Sequence, residues 1–314
     1  MDHRQRILIA GATGVIGRRL VSALSAAGHE VHGLARSREG ADTVARLGGK
    51  PVSADLLDAG SVERAVAAAR PAVVLQQATA LKAVDLRKLE TLEPTNRLRT
   101  EGTRNLVQAA ERHGVERIVA QSIAFAYVHD GPDVLDEGAP LDVDGPGGWG
   151  PVARAVQAGE EAVIGAAGAV GVVLRYGMFY GPEAGTFPDG YMADLVRKRR
   201  WPVIGDGDGR YSFVHIDDAV AATLAAVESG EGIYNVVDDE PVRMGDFVPG
   251  LAGALGAPPP RRAPAWLARI VAGTHTVRTM TTQRGASNRR AREELGWRPR
   301  YATWRDGVAA PTEA

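Results

Sequence analysis

Through the first 175 residues, short apolar runs rich in β-branched residues alternate with longer segments whose apolar positions recur at helical spacing. The runs are Ile7 to Ala10, Val31 to Ala35, Val52 to Ala54, Ala72 to Leu75, Arg117 to Ala120 and Gly171 to Leu174. Between the first two, Leu20, Val21 and Leu24 share one face of a helix expected over Arg18 to Ala27, with Gly28 as its stop. Strands that alternate with helices are joined by right-handed crossovers, and strands buried on both faces read as continuous apolar runs. The pattern therefore predicts an α/β fold, a doubly wound parallel sheet, and excludes all-β and all-α architectures. Beyond Arg175 the chain turns rich in Gly, Pro and aromatics, and the apolar elements at Ile216 to Ala226, Ile233 to Val237 and Ala291 to Leu295 are shorter. The expected division is residues 1–175 as the sheet domain and 176–314 as a smaller lobe against its carboxyl edge, with interleaving of segments left open.

Composition narrows the function. A formal charge of −1 over 314 residues gives no electrostatic case for nucleic acid or an anionic membrane as partner. The absence of cysteine excludes disulfides, thiolate metal sites and cysteine nucleophiles. No apolar stretch reaches the ~20 residues that span a bilayer, and the start of the chain lacks the apolar core of a secretory signal, so a cytoplasmic location is expected. The seven histidines are dispersed without zinc spacing. Asp206-Gly207-Asp208-Gly209-Arg210 starts like a calcium loop but places Arg210 where an oxygen ligand is required. The basic run Arg197 to Arg200 reads as a solvated face. Nothing in the pattern fixes an oligomeric state.

Gly11-Ala12-Thr13-Gly14-Val15-Ile16-Gly17 lies between the first expected strand and the first helix. There glycines permit a tight turn and close backbone approach, while a helix N-terminus offers free N–H groups to a pyrophosphate, the arrangement of a Rossmann dinucleotide site. Gly11, Thr13, Gly14, Val15, Ile16 and Gly17 are accordingly candidate cofactor residues. The second strand ends Leu34-Ala35-Arg36-Ser37-Arg38, with Arg36 where NAD binders carry a carboxylate for the ribose 2′-hydroxyl. Arg36 suits a 2′-phosphate instead, so NADP(H) is the expected cofactor. Asp55 and Leu56, after the third strand, are candidates for the adenine edge.

These motifs, with Glu101-Gly102-Thr103-Arg104-Asn105-Leu106, Leu174-Arg175-Tyr176-Gly177, Tyr180-Gly181-Pro182, Phe213-Val214-His215-Ile216-Asp217-Asp218 and Leu295-Gly296-Trp297, resemble the extended or atypical short-chain dehydrogenase/reductases over nearly the whole chain. The resemblance implies a nicotinamide cofactor across the sheet edge and a substrate lobe at the C-terminus. Gln76, Ala78 and Tyr176 complete the cofactor residues expected on this basis. It also implies a Ser or Thr, a Tyr acid–base group and a Lys four residues on. Ser122 matches the first, whereas the Tyr and Lys positions read Val152 and Val156. No tyrosine has a lysine four places later, and the four lysines, Lys50, Lys82, Lys88 and Lys198, lie outside that helix. The asparagine that some relatives place before the Gly-Thr pair reads Arg99.

A reductase without that pair needs its proton from elsewhere, and a phenol beside the reacting carbonyl would supply it. The expected reaction is NADPH-dependent reduction of an aromatic polyketide ketone, with Ser122 catalytic and Thr79 beside it orienting the carbonyl. Of 17 aromatic residues none precedes Phe125, and eight fall between Tyr176 and Phe213. An apolar, ring-bearing ligand fits such a lobe, with Thr79, Phe125, Tyr127, Trp149, Met178 and Phe187 as candidate substrate residues. Within the family the pattern is most similar to polyketide ketoreductases that lack the Tyr/Lys pair, such as the simocyclinone (angucyclinone) type. The alternatives are an epimerase or dehydratase acting on a nucleotide sugar, against which Met178 stands in place of a diphosphate-binding Asn, and a non-catalytic NADP(H)-binding regulator.

Overall fold

The computed structural model describes residues 4–81 and 89–310, so Lys82 and Lys88 lie outside the described residues. Seven parallel strands form the central sheet: β1 (Arg6–Ala10), β2 (Glu30–Ala35), β3 (Lys50–Ser53), β4 (Val73–Gln76), β5 (Arg117–Ile123), β6 (Val170–Tyr176) and β7 (Gly232–Val236). Their order across the sheet is β7-β6-β5-β4-β1-β2-β3. The order reverses between β1 and β4, and a crevice opens at the carboxyl ends of such strands, where ligands of doubly wound sheets bind.

Strand alternation divides the core into two layers. Ile7 and Ile9 of β1, Leu75 of β4 and Val119 of β5 pack with α1 (Val15–Ala26) and an Ala-rich helix, Ile216–Glu228, on one face. The helix α2 (Arg38–Arg46) joins the same face through Val44, whereas Leu8, Val74, Ile118 and Val173 face the opposite layer, made by Ala59–Ala69, Thr103–Arg112 and Trp149–Ile164. We label those further helices α3 (Ala59–Ala69), α4 (Glu93–Arg97), α5 (Thr103–Arg112), α6 (Trp149–Ile164), α7 (Tyr191–Arg197), α8 (Ile216–Glu228), α9 (Met244–Ala254) and α10 (Ala265–Thr281). Because each sheet residue is buried on its own side, small and β-branched side chains suffice and no ring is needed before Phe125.

Two expectations change. The strand β7 and helix α8 come from beyond residue 175 yet complete the sheet, so the boundary at 175/176 is crossed and the segments interleave. Phe187 is not a cleft residue: it is 1% exposed, stacked on Tyr180 at 5.0 Å and packed on Phe213, Phe247 and Trp304 in the core of the smaller lobe. Most of the ring-rich stretch serves that packing, because a lobe of short helices and two-residue strands has little other apolar volume to close its core.

The phosphate-loop turn is held by backbone contact. A Cβ at Gly17 would lie 2.0 Å from the carbonyl oxygen of Gly11, and one at Gly11, which has φ +84°, would meet the Gln77 backbone at 2.6 Å. Gly17→Ala is expected to open this turn and weaken nicotinamide-dinucleotide binding by tenfold or more, read by calorimetric titration. The sheet itself, followed by far-ultraviolet circular dichroism, should remain folded.

Candidate active site

The glycine loop opens α1 with Gly14 as its N-cap, whose N–H bonds the Gly11 carbonyl at 3.0 Å. No side chain caps α1, and no acidic residue sits in its first turn, so its N–H groups and dipole are left for an anion. Thr13 and Gly14 are exposed at the mouth of the loop, with Val15 behind them and Ile16 and Gly17 buried. Arg36 is exposed just after β2, next to Ser37, the N-cap of α2, whose first turn carries Glu39. This cradle, which a Cβ would fill, fits the pyrophosphate and ribose of a nicotinamide dinucleotide.

The remaining cofactor candidates are engaged within the protein. Asp55 Oδ1 accepts from the Leu57 N–H at 3.0 Å, and Leu56 is buried with its carbonyl accepting from Asn105. Gln76 is buried at the end of β4, accepting from the Ala78 N–H at 2.6 Å and donating to Thr103 Oγ1 at 3.1 Å. It sets the strand's exit, and Ala78 follows it beside the Gly11 turn. Tyr176 corrects its expected role: it is 1% exposed, its hydroxyl lies 2.7 Å from Thr223 Oγ1, and burial pushes its pKa up to about 12. It holds α8 against the sheet.

Ser122 also departs from expectation. Its hydroxyl is buried and donates to Glu160 Oε1 at 2.6 Å, so its proton is committed to a carboxylate and is not offered to a substrate carbonyl. Glu160, on α6, forms a two-pronged ion pair with Arg175 of β6, through Nε at 2.8 Å and Nη2 at 2.6 Å. Arg175 Nη1 donates to the Tyr127 hydroxyl at 2.9 Å, which donates in turn to Asn235 Oδ1 of β7 at 2.7 Å. Tyr127 is thereby a buried network member and not a substrate wall. The signal for this network was in the chain: an arginine in an otherwise apolar strand requires a buried acid.

The residue that meets the degenerate helix is Ile123, the last of β5. Ile123, Val152 and Val156 belong to one apolar cluster with Leu89, Leu92 and Trp149. Neither valine position offers a proton-donating group, and the ionisable groups nearest the cluster are His275, stacked on Trp149, and Arg99 and Glu160, which share a cavity with Val156. Behind Val156, a small cavity of about 10 Å³ is bordered by Arg99, Gln121, Ser122 and Glu160, enough for roughly one water. Arg99 lies on a π-turn over Leu98–Gly102, is 7% exposed, and has its Nε unpartnered among the described residues. Burial lowers its pKa to about 10, against the opposing charge of Glu160.

Over this cluster, Trp149 stacks on His275 of α10, with ring centroids 4.5 Å apart. Phe125 is half-buried beside them, its carbonyl accepting from Gln283 at 3.4 Å. Met178 is half-buried against the smaller lobe's core, and Thr79 is exposed after β4. Of the substrate candidates, Phe125 and Trp149 are brought together, whereas Tyr127 and Phe187 are enclosed elsewhere.

Residues 7–236 match the NAD dependent epimerase/dehydratase family, and the chain belongs to that family. It is a nicotinamide-dependent oxidoreductase of that family, and its fold matches that of NAD-dependent epimerases. A Streptomyces protein named 3-diazoavenalumate denitrifying reductase is 49% identical over 96% of this chain and 99% of its own length. A Stigmatella aurantiaca ketoreductase of 4-hydroxy-2-methyl-3-oxo-4-farnesyl-3,4-dihydroquinoline-1-oxide is 30% identical over 77% of this chain and 71% of its own. The Thermus thermophilus UDP-glucose 4-epimerase, solved with NAD, superposes with a TM-score of 0.71 at 27% identity, covering 96% of both chains.

Glu160→Ala strands a buried guanidinium, and a loss of about 3–5 kcal/mol is expected in urea unfolding. Arg99→Met removes a buried cation that has no carboxylate bonded to it, and is expected to be neutral or stabilising in the same assay.

Burial holds His275 and His129 down at about 4, with the Arg278 charge adding to both. Their neutral forms are favoured by the fold. The stability they contribute is fully present above the ordinary histidine pKa near 6.5 and is lost as pH falls from there toward 4, where the unfolded chain takes up protons that the folded chain refuses. His275→Gln should flatten that acid limb in thermal unfolding across the window.

Proposed function

We propose that this protein is an NADPH-dependent reductase that replaces the diazonium group of an aromatic carboxylate with hydrogen and releases dinitrogen. The observation that carries the reading is the apolar cluster of Ile123, Val152 and Val156 at the place of a proton-delivering pair. Reduction of a ketone produces an alkoxide that needs an acid, worth ~10²–10⁴ in rate. Reduction of an aryl diazonium needs none: the arene cation gains one hydride, the carbon–nitrogen bond breaks with loss of N2, and charge balances without a proton. A reduced nicotinamide, when bound, supplies that hydride. The diazo-specific name of the 49% relative supports the same chemistry.

The residues of the chain have matching tasks. The Gly11 to Gly17 loop and the α1 N-terminus bind the pyrophosphate, and Arg36 pairs with a 2′-phosphate. Trp149, Ile123 and Val152 exclude water, which would otherwise capture an arene cation as a phenol. The buried Glu160–Arg175 pair keeps α6 in register without touching the substrate. NADPH use and the lack of any membrane-spanning helix among the described residues fit work in the cytoplasm.

The test is NADPH oxidation with diazotised 3-aminobenzoate and with 3-diazoavenalumate, followed by N2 release and by transfer of deuterium from C4-labelled cofactor into the arene. Rates independent of pH from about 6 to 9 are expected, because no acid participates. Consumption of NADPH without deuterium in the arene would overturn the reading. Arg36→Ala is expected to erase most of the preference for NADPH over NADH, measured as the ratio of the two KM values.

A second reading is favoured by the ketoreductase relative: reduction of a polycyclic phenolic ketone, such as an angucyclinone, whose own hydroxyl gives the proton. Turnover of such ketones but not their O-methyl ethers, with no turnover of the diazonium acids, would select it.

A further inference from the structure

The first two turns of α10 carry Trp266, Leu267, Ile270 and Val271, which are 67%, 42%, 76% and 74% exposed. Trp266 with Ile270 and Leu267 with Val271 stand four residues apart, so the four form one stripe on the helix surface, and of the large side chains in these turns none faces inward. Soluble proteins rarely leave so contiguous an apolar patch uncovered without a use for it.

The charge around the stripe identifies what fits it. From Phe247 to Arg292 the chain runs 46 residues without a single Asp or Glu, yet holds eight arginines, in a protein whose net charge is −1. Arg261 and Arg262 lead directly into α10, Arg269 sits within the stripe's turns, and Arg200 is brought alongside by pairing of Val203–Ile204 with Arg262–Ala263. All four are exposed, and none forms an ion pair with a described carboxylate. The neighbouring Arg197 and Lys198, by contrast, are paired with Asp189 and Asp194.

We propose that this half of α10 is a docking surface for an acidic amphipathic helix of a partner protein, its apolar face on Trp266 and Ile270 and its carboxylates on the flanking arginines. A second copy of the chain would set the same basic rim against itself. A bilayer calls for a broader apolar face than a stripe of six residues, ~9 Å of helix. A helix laid against a helix matches that length, and anchors at i and i+4 are how such pairs are read. The surface also has a position relative to the site: past a break at Gly273, with φ +84°, α10 continues to His275, which stacks on Trp149. A partner seated here would lie on the helix whose other half covers the candidate active site.

The test uses the full-length protein and a helix-stapled peptide of about five turns with a leucine stripe flanked by glutamates. Fluorescence anisotropy should give saturable binding that weakens at least tenfold between low and high salt. It should be lost in the double variant Trp266→Ala, Ile270→Ala, and shifted toward a lysine-flanked peptide in Arg261→Glu, Arg262→Glu. All four positions are exposed, and unchanged NADPH affinity confirms that each variant is folded. Absence of peptide binding overturns the proposal. So does equal binding of both peptides, Trp266-dependent binding to phosphatidylglycerol vesicles without peptide binding, or a dimer in sedimentation that Trp266→Ala dissolves.

Discussion

The Glu160–Arg175 ion pair is the contact on which the geometry of the site depends. It joins α6 to β6, and through Ser122, Tyr127 and Asn235 it reaches β5 and β7 as well. Both charges are almost wholly withdrawn from water, at 4% and 6% exposure, so the pair is stable only because each oxygen and nitrogen finds a partner in a fixed position. That requirement makes the network a register device. Sliding α6 by one residue would bury two charges without partners, and Val152 and Val156 are therefore held where an acid–base pair would stand even though they do no acid–base work.

The same arrangement explains how a site can lose its proton donors without losing its shape. The ion pair sits one turn beyond Val156 and belongs to the frame, whereas Ile123, Val152 and Val156 belong to the buried apolar cluster beside it. Apolar residues at those three positions leave the frame intact and alter only the chemistry available. A hydride acceptor that is already cationic gains from this, since it needs neither an acid nor the water that an acidic, hydrated pocket would admit.

Much of the fold was legible because its determinants are local. The glycine loop, the continuous apolar strands and the Arg36 at the end of β2 where a carboxylate would stand each occupy a few consecutive residues, and the observed strands match the expected runs to within three positions. What escaped depends on tertiary approach. Ser122 and Ile123 are neighbours in sequence, but only the structure shows which meets Glu160 and which meets Val152. Phe187 and Tyr127 looked like ligand-lining rings because composition does not distinguish a ring that fills a lobe's own core from one that faces a cleft. Interleaving was left open, and which segment would cross was not legible, since a short strand such as β7 carries no mark of the sheet it joins.

The placement of the rings has an optical consequence. All five tryptophans fall between residues 149 and 304, so none lies in the nucleotide-binding loops; Trp297 packs in the sheet's core, Trp201 and Trp304 in or against the core of the smaller lobe. Trp149 is enclosed and stacked on the His275 ring, while Trp266 is 67% exposed to water. Two of the five thus stand in opposite environments, Trp149 in a dry one beside the candidate active site and Trp266 in a wet one on the exposed stripe of α10. A difference spectrum between the chain and its Trp266→Phe variant isolates the stripe, and one against Trp149→Phe isolates the cover of the site.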